Sequence, residues 1–228
     1  MWAACGKRAG SERSNPRLTE NLPRGEADPA DELGRDSEET NISLVNEGHL
    51  QHRKSKGKGR RRRNRVLKWG NINAQSLVNK MNLLDEEIKK HELKIVSVTE
   101  TWGKEEIKAS HFSIKDFNMY RNDRKNKAGG GTILYVSSDI EQRSCRPLNT
   151  GGYKSSSWCW LVEKVGKKIL VGSIYRSTDS SPENDELLLK KIEQAYEIAG
   201  DNRLLLLGDF NLPGIDWKDK DLKRGNEN

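Results

Sequence analysis

The sequence predicts a layered α/β domain, and three stretches of the chain support this prediction. The stretch LLLLGDFNLPGIDW, at residues 204–217, opens with a run of leucines that suits a strand covered on both faces. The stretch KILVGSIY, at residues 168–175, is nearly continuous in apolar and β-branched residues and predicts a second buried strand. Between residues 66 and 99, a strand, a helix and another strand follow in order, which favours a parallel, right-handed unit.

Composition divides the 228 residues into a folded part and tails. Residues 1–52 are rich in Gly, Pro, Ser, Asn and acidic residues, and they predict a disordered tail. Residues 53–65 contain nine Lys and Arg residues and no acidic residue, which predicts a basic linker that binds nucleic-acid phosphates or acts as a nuclear localisation signal. The alternative is a solvated linker. Residues 66–217 are predicted to form one domain, and residues 218–228 a second disordered tail.

No pattern for secretion or membrane insertion is present in the sequence. The first residues lack the apolar core of a signal peptide, and no apolar run approaches the length of a bilayer span. Cys5, Cys145 and Cys159 are too scattered for a disulfide framework or a zinc site, so a reducing compartment is expected. The expected location is the nucleus, with the cytoplasm as the alternative. Neither a membrane partner nor a small-molecule cofactor is expected.

Apolar periodicity within residues 66–217 predicts two helices among a series of strands. The first helix is predicted from Ser76 to about His91, with apolar residues at intervals of three and four. The second has Ser181 as its N-cap, Pro182 at its first position and Gly200 just past its end. The strands are predicted at residues 66–73, 93–99, 118–121, 132–137, 157–163 and 168–175, and from residue 204.

Polar side chains follow the ends of several predicted strands, where open α/β sheets place their ligands. In chain order these candidate site residues are Asn73, Glu100, Tyr175, Arg176, Asp209 and Asn211. A carboxylate that holds or activates water and an amide that steadies an oxyanion suit an attack on phosphorus. The alternative is that Asp209 only caps a turn, and that Tyr175 only covers the core.

Carboxylate and amide oxygens without histidine or cysteine suit a hard cation such as Mg²⁺, with Mn²⁺ as a second candidate. Metal-assisted phosphodiester hydrolysis is therefore the working hypothesis. A basic connection, RNDRKNKAGGG, precedes the strand at residues 132–137 and is a candidate contact for a polyanion such as DNA. The alternative is a solvated hairpin loop. The candidate DNA contacts are Arg121, Arg124, Lys125, Lys127 and Arg176.

Five motifs occur in an order that resembles a known family. They are NAQSL from residue 73, IVSVTETW through residue 102, GGGTILYV after the basic loop, ILVGSIYR, and LLLLGDFNLPGIDW. Together they resemble the endonuclease/exonuclease/phosphatase superfamily, and in detail the apurinic-type endonuclease domain of non-LTR retrotransposons with a jockey-like reverse transcriptase. The resemblance implies a four-layered α/β sandwich of two packed sheets, and an enzyme that nicks double-stranded DNA to prime reverse transcription.

The resemblance also implies a role for each matching residue. Asn73 matches an asparagine that supports the metal and phosphate site, and Glu100 matches the metal-binding glutamate. Tyr175 matches a tyrosine that contacts the scissile phosphate. Asp209 matches the aspartate that activates water, and Asn211 matches the asparagine that orients the reacting groups.

The sequence departs from the family pattern after residue 217. The closing Ser-Asp-His motif of the family is missing, and all four histidines precede the position expected for its histidine. The chain is therefore expected to be a C-terminally truncated domain with poor solubility and reduced or absent activity. Two other hypotheses stay open. One is a nucleic-acid-binding module without catalysis, and the other is a phosphatase acting on a sugar or lipid phosphate.

Overall fold

The computed structural model describes residues 2–4, 44–50, 67–124, 129–163, 166–212, 215–216 and 221–222. The helices are α1 (Met81–His91), the single turn α2 (Arg146–Asn149) and α3 (Pro182–Ala199), together with a 3₁₀ helix at Ala109–Phe112. The strands in chain order are β1 (Trp2–Ala4), β2 (Leu44–Leu50), β3 (Leu67–Asn73), β4 (Ile95–Thr99), β5 (Phe117–Asn122), β6 (Thr132–Ser137), β7 (Gln142–Ser144), β8 (Ser156–Val162), β9 (Lys168–Tyr175), β10 (Arg203–Asp209), β11 (Ile215–Asp216) and β12 (Asp221–Leu222).

The strands of the domain form two mixed sheets of five strands each. The first sheet, sheet I, has the order β2-β3-β4-β6-β5, and β3 and β4 pair in parallel across the α1 connection, as the sequence predicts. The second sheet, sheet II, has the order β1-β10-β9-β8-β7, with β9 and β10 parallel across the α3 connection. The other strand pairings within the two sheets are largely antiparallel. Strands β11 and β12 form a separate two-stranded antiparallel sheet.

Three apolar clusters divide the domain into four layers. One lies between α1 and the outer face of sheet I, one between the two sheets, and one between sheet II and α3. The leucine run of β10 shows why its sequence lacks a polar face: Leu205 and Leu207 face the other sheet, while Leu206 faces α3. The expected four-layered α/β sandwich is therefore confirmed.

The predicted elements between residues 67 and 209 are confirmed, with strand ends shifted by at most about two residues. Ser181 caps α3 by accepting a hydrogen bond from the Asn184 backbone N–H, as predicted, and Gly200 follows the helix. The start of α1 is wrong in the prediction, because the helix begins at Met81 and not at Ser76. Ser76 has a left-handed φ of 76°, and its backbone N–H donates to the Glu100 carbonyl at 2.9 Å.

The structure places short strands inside both tails that the sequence predicts to be disordered. Strand β1 pairs in parallel with β10, and β2 pairs antiparallel with β3, so each adds to a strand edge that would otherwise leave backbone groups unpaired. Strand β12 lies in the C-terminal tail. The predicted basic linker at residues 53–65 lies outside the described residues. No helix in the described parts of the chain combines the length and apolarity that a bilayer crossing requires.

Candidate active site

Three of the predicted site residues meet where β3, β4 and β10 end. The Asn73 side-chain Nδ2 donates to Glu100 Oε1 and to Asp209 Oδ2, each at 3.0 Å. Asn73 and Glu100 follow strands of sheet I, whereas Asp209 ends a strand of sheet II. The amide therefore joins two carboxylates that the chain delivers from different sheets, 136 residues apart in the case of Asp209.

The loop after β3 fixes the backbone at Glu100. The N–H groups of Ala74, Ser76 and Leu77 donate to the carbonyls of residues 99–101 at 2.9–3.0 Å. These bonds replace the helical turn that the sequence predicts here, and Leu77 still packs into the core beside α1. Glu100 has a left-handed φ of 52° and is 8% exposed, so its carboxylate is held at the rim of a largely buried site.

Asp209 is placed by a close contact between β9 and β10. Gly208 has a φ of 141°, and a Cβ at this position would lie 1.8 Å from the Ile174 carbonyl oxygen, so only glycine fits. Asp209 is 2% exposed, while Phe210 turns to the opposite side and packs under α3, as period-two geometry predicts. The Asp209 side chain accepts a hydrogen bond from Asn73, so it lies in one polar cluster with Asn73 and Glu100.

Tyr175 lies beside Asp209 at the paired ends of β9 and β10. Burial raises the pKa of Tyr175 to about 12, and the charges of Glu100 and Asp209 add to this effect. A hydrogen bond with Ser177 and the charge of Arg124 act on the pKa in the opposite direction. The phenol therefore keeps its proton at neutral pH and can donate a hydrogen bond to a phosphate oxygen.

Arg176 braces the backbone of the site. Its guanidinium makes a bidentate contact with Asp185 in the first turn of α3, with both N–O distances 2.7 Å, and its Nη1 donates to the Asn211 carbonyl at 2.6 Å. In return, the Asn211 side-chain amide donates to the Arg176 carbonyl at 2.8 Å, and the Arg176 N–H donates to the Asp209 carbonyl at 2.8 Å. The hydrogen bond to Arg176 holds the pKa of Asp185 below its usual range.

Arg176 is predicted to contact DNA, whereas in the structure its side chain contacts acceptors of the protein. Arg176 is only 6% exposed, and its guanidinium is occupied by protein acceptors. Asn211 likewise acts here through the backbone loop, with its side chain directed at the Arg176 carbonyl. Sequence alone could not show this arrangement, because Asp185 lies nine residues away in a helix whose acidic first turn is ordinary.

Arg121, another predicted DNA contact, is held by contacts within the protein. Its guanidinium donates to Asp123 and to the carbonyls of Lys104 and Ile107 at 2.7–2.8 Å, and it lies over the Phe112 ring. Arg124 is different, because its charge acts on Tyr175, so it stays a candidate phosphate contact. The predicted contacts Lys125 and Lys127 lie outside the described residues.

Asn71 is a buried polar residue next to the site that the sequence reasoning missed. It is 1% exposed, and neither polar atom of its side chain has a hydrogen-bond partner in the described part of the chain. It lies on the same face of β3 as Asn73, two residues earlier in the strand. The available signal was a second asparagine two residues before Asn73 in the same predicted strand.

No protein-family model matches the chain, and no curated protein matches its sequence. In structure, the chain is similar to endonuclease/exonuclease/phosphatase proteins. One is the endonuclease domain of TRAS1, a telomere-specific non-LTR retrotransposon, with a TM-score of 0.47, 15% identity, and coverage of 62% of this chain and 57% of that one. Another is an endonuclease/exonuclease/phosphatase protein from Bacteroides vulgatus, with a TM-score of 0.47, 17% identity, and coverage of 63% and 65%.

An AP endonuclease from Archaeoglobus fulgidus is also similar, with a TM-score of 0.44, 15% identity, and coverage of 68% of this chain and 62% of that one. The chain spans less than two thirds of the length of each of these three proteins. The similarity concerns the fold, so the functional conclusion rests on the side chains of the site itself.

Proposed function

We propose that this site hydrolyses phosphodiester bonds of DNA with the help of Mg²⁺. The observation that carries the proposal is the bridge from the Asn73 amide to the Glu100 and Asp209 carboxylates, each at 3.0 Å, next to Tyr175 at the paired end of β9. Two carboxylates and a phenol at one edge of a sandwich supply an acceptor for a proton from water and a donor for a phosphate oxygen.

Each side chain has a role that follows from its position. Asp209 accepts the proton of the attacking water, because its carboxylate is fixed by Asn73 and by the close contact of its strand with β9. Tyr175 donates to a phosphate oxygen, since its phenol lies beside Asp209 at the paired strand ends. Arg176 acts at a distance by holding the backbone of Asp209 and Asn211 in place.

The oxygen donors of the site fit Mg²⁺ and also Mn²⁺. Glu100 would hold the cation, with the side-chain oxygen of Asn73 as a neighbouring ligand, while Asp209 accepts the proton of water. The described residues contain no group of three or more His, Cys, Asp or Glu side chains, so a bound cation would have few protein ligands. Such a small set of carboxylates suits a cation that keeps several of its waters and sits against a phosphate. When bound, Mg²⁺ supplies charge neutralisation at the phosphate.

DNA as substrate, priming of reverse transcription and a nuclear location are further parts of the proposal. They are supported by the ordered sequence motifs and by the basic segment at residues 53–65. Arg124 adds a cation beside Tyr175 for a phosphate of the strand. If the enzyme primes reverse transcription, the nick must leave a 3′-hydroxyl that a polymerase extends. A fluorescent fusion that loses nuclear accumulation when the arginines at residues 60–63 are neutralised would support the proposed location.

The proposal is tested by incubating the purified chain with supercoiled plasmid and Mg²⁺. We expect nicking by the wild type, loss of nicking in Asp209→Ala, and unchanged nicking in Asp201→Ala, a matched variant of an exposed aspartate. Loss of a general base typically lowers a rate by about 10² to 10⁴. DNA binding without nicking by the wild type would overturn the catalytic proposal in favour of a binding module. Release of phosphate from a sugar or lipid phosphate, without nicking, would overturn the proposed substrate.

A further inference from the structure

Trp102 is an exposed aromatic residue beside the candidate active site. It follows Glu100 by two positions, and 43% of its surface is exposed even though its neighbours Thr101 and Gly103 are buried. The other large exposed apolar residues of the described chain, Leu187, Leu189 and Tyr196, all lie on α3. Trp102 is therefore the large exposed apolar side chain that lies near the catalytic groups.

The backbone holds the indole in this exposed position. Trp102 has a left-handed φ of 53°, which is rare for a bulky residue, and its N–H donates to the Gly130 carbonyl at 2.9 Å. Residues 129–131 are all glycines with positive φ, and they form the opposite side of this contact. A left-handed backbone at a tryptophan costs folding free energy. The loop contacts must therefore hold the side chain in this exposed position.

The glycine loop connects the indole to the site. A Cβ added at Gly129 would lie 3.6 Å from Trp102 Nε1. A Cβ added at Gly130 would lie 2.8 Å from Arg124 Cδ and 3.4 Å from Tyr175 Cε1. Trp102 thus borders Gly129, while Arg124 and Tyr175 border Gly130, so all three side chains lie around the same glycine loop.

We propose that Trp102 is a stacking platform for a nucleobase of the DNA strand whose phosphate lies at Tyr175. The inference rests on the proposed function and adds a subsite to it. An aromatic ring stacks on every base and so binds a strand without sequence preference, while the neighbouring guanidinium pairs with a phosphate. The absence of a side chain at Gly130 lets Arg124 and Tyr175 lie against the loop backbone, which keeps the cation and the phenol close to Trp102. The charge of Arg124 and the adjoining phosphate site favour nucleic acid over a protein partner.

The test measures binding, in EDTA so that no hydrolysis occurs, of two fluorescein-labelled probes. One is a short oligothymidylate, and the other is an oligomer with the same phosphate backbone but no bases. We expect Trp102→Ala to weaken binding of the oligothymidylate by about 5- to 150-fold, the range for loss of one base–aromatic stack. Binding of the abasic oligomer should be unchanged, and Trp102→Phe should restore most of the affinity.

The control is Tyr196→Ala, which removes an aromatic side chain that is 72% exposed on α3 and should change neither affinity. Equal affinities of wild type and Trp102→Ala for oligothymidylate, or an equal loss for both probes, would overturn the stacking role. The same binding assay on Asp209→Ala separates this result from the catalytic proposal. Base-dependent binding that survives in an inactive chain supports the subsite alone, whereas nicking by a chain whose binding ignores Trp102 supports the catalytic proposal alone.

Discussion

The space between the two sheets is apolar at one end and polar at the other, although the same strands line both ends. At the apolar end, Trp69, Ile95 and Val136 of sheet I pack against Val171 and Leu205 of sheet II, and all are buried. At the polar end, the corresponding positions further along these strands are Asn73, Thr99, Thr132, Tyr175 and Asp209. The middle is mixed, with the Ser97 and Ser173 hydroxyls 2.8 Å apart across the sheets.

This gradient shows how one strand serves stability and chemistry at once. On β3, the inward face changes from Trp69 through Asn71 to Asn73 within two alternations. Buried polar groups carry a desolvation cost that apolar packing must offset, so the apolar end stabilises the positions that the polar end uses. Substitutions at the two ends should therefore separate stability from activity.

The largest effect on stability is expected at the apolar end. Leu205→Ala removes a side chain that is 1% exposed between the sheets, and it should lower the free energy of unfolding by about 2 to 5 kcal/mol. Nicking per folded molecule should stay close to wild type. Denaturant unfolding followed by circular dichroism measures the change, with Leu189→Ala on the exposed face of α3 as the matched control. A small loss of stability, comparable to that of the control, would contradict the division between the two ends.

At the polar end, Tyr175→Phe should lower the nicking rate and leave stability nearly unchanged. The variant keeps the ring but removes the hydroxyl donor, and loss of one such donor typically lowers kcat by about 10² to 10³. The melting temperature should change little. The measurement is a time course of plasmid nicking, with Tyr196→Phe as the control for loss of an exposed phenol. Wild-type nicking by Tyr175→Phe would remove the phenol from the proposed mechanism.

A smaller change in stability, of opposite sign, is expected for a substitution between the two ends. Asn71→Leu replaces a buried amide that has no hydrogen-bond partner among the described residues, and relief of its desolvation should raise the free energy of unfolding by about 1 to 3 kcal/mol. The nicking rate should fall, because the Asn71 amide lies two residues before Asn73 on the same face of β3. Asn118→Leu, at an exposed position of β5, is the matched control. A destabilised Asn71→Leu variant would show that the amide contributes to the core.

A loss of stability is also expected at high pH. Burial raises the pKa of Tyr120 and Tyr175 to about 12, and it raises those of Tyr135 and Tyr153 further. Between the ordinary value of 10.0 and about 12, the unfolded chain releases these protons first, so the free energy of unfolding falls as pH rises. Unfolding by denaturant at a series of pH values measures the slope. Constant stability through pH 12 would contradict the burial of these phenols.

Local patterns predicted the elements better than they predicted the site. Apolar runs and capping residues were enough for β9, β10 and α3, because burial and end signals are properties of neighbouring residues. The first turn expected at Ser76 was lost to hydrogen bonds with residues 99–101, which no local pattern contains. The same limit applies to Arg121 and Arg176, whose carbonyl and carboxylate acceptors come together only in the folded chain. The meeting of Asn73 with Asp209 was expected from their positions at strand ends, and the ordered motifs pointed to the same two residues.

The most direct test of the central claim is a double-mutant cycle in the plasmid-nicking assay, with Glu100→Gln, Asp209→Asn and the double variant. If the two carboxylates act as one unit, the double variant should lose about as much rate as the more damaging single variant. Losses that multiply would show that Glu100 and Asp209 act independently, and they would contradict a single site built from the ends of strands in both sheets.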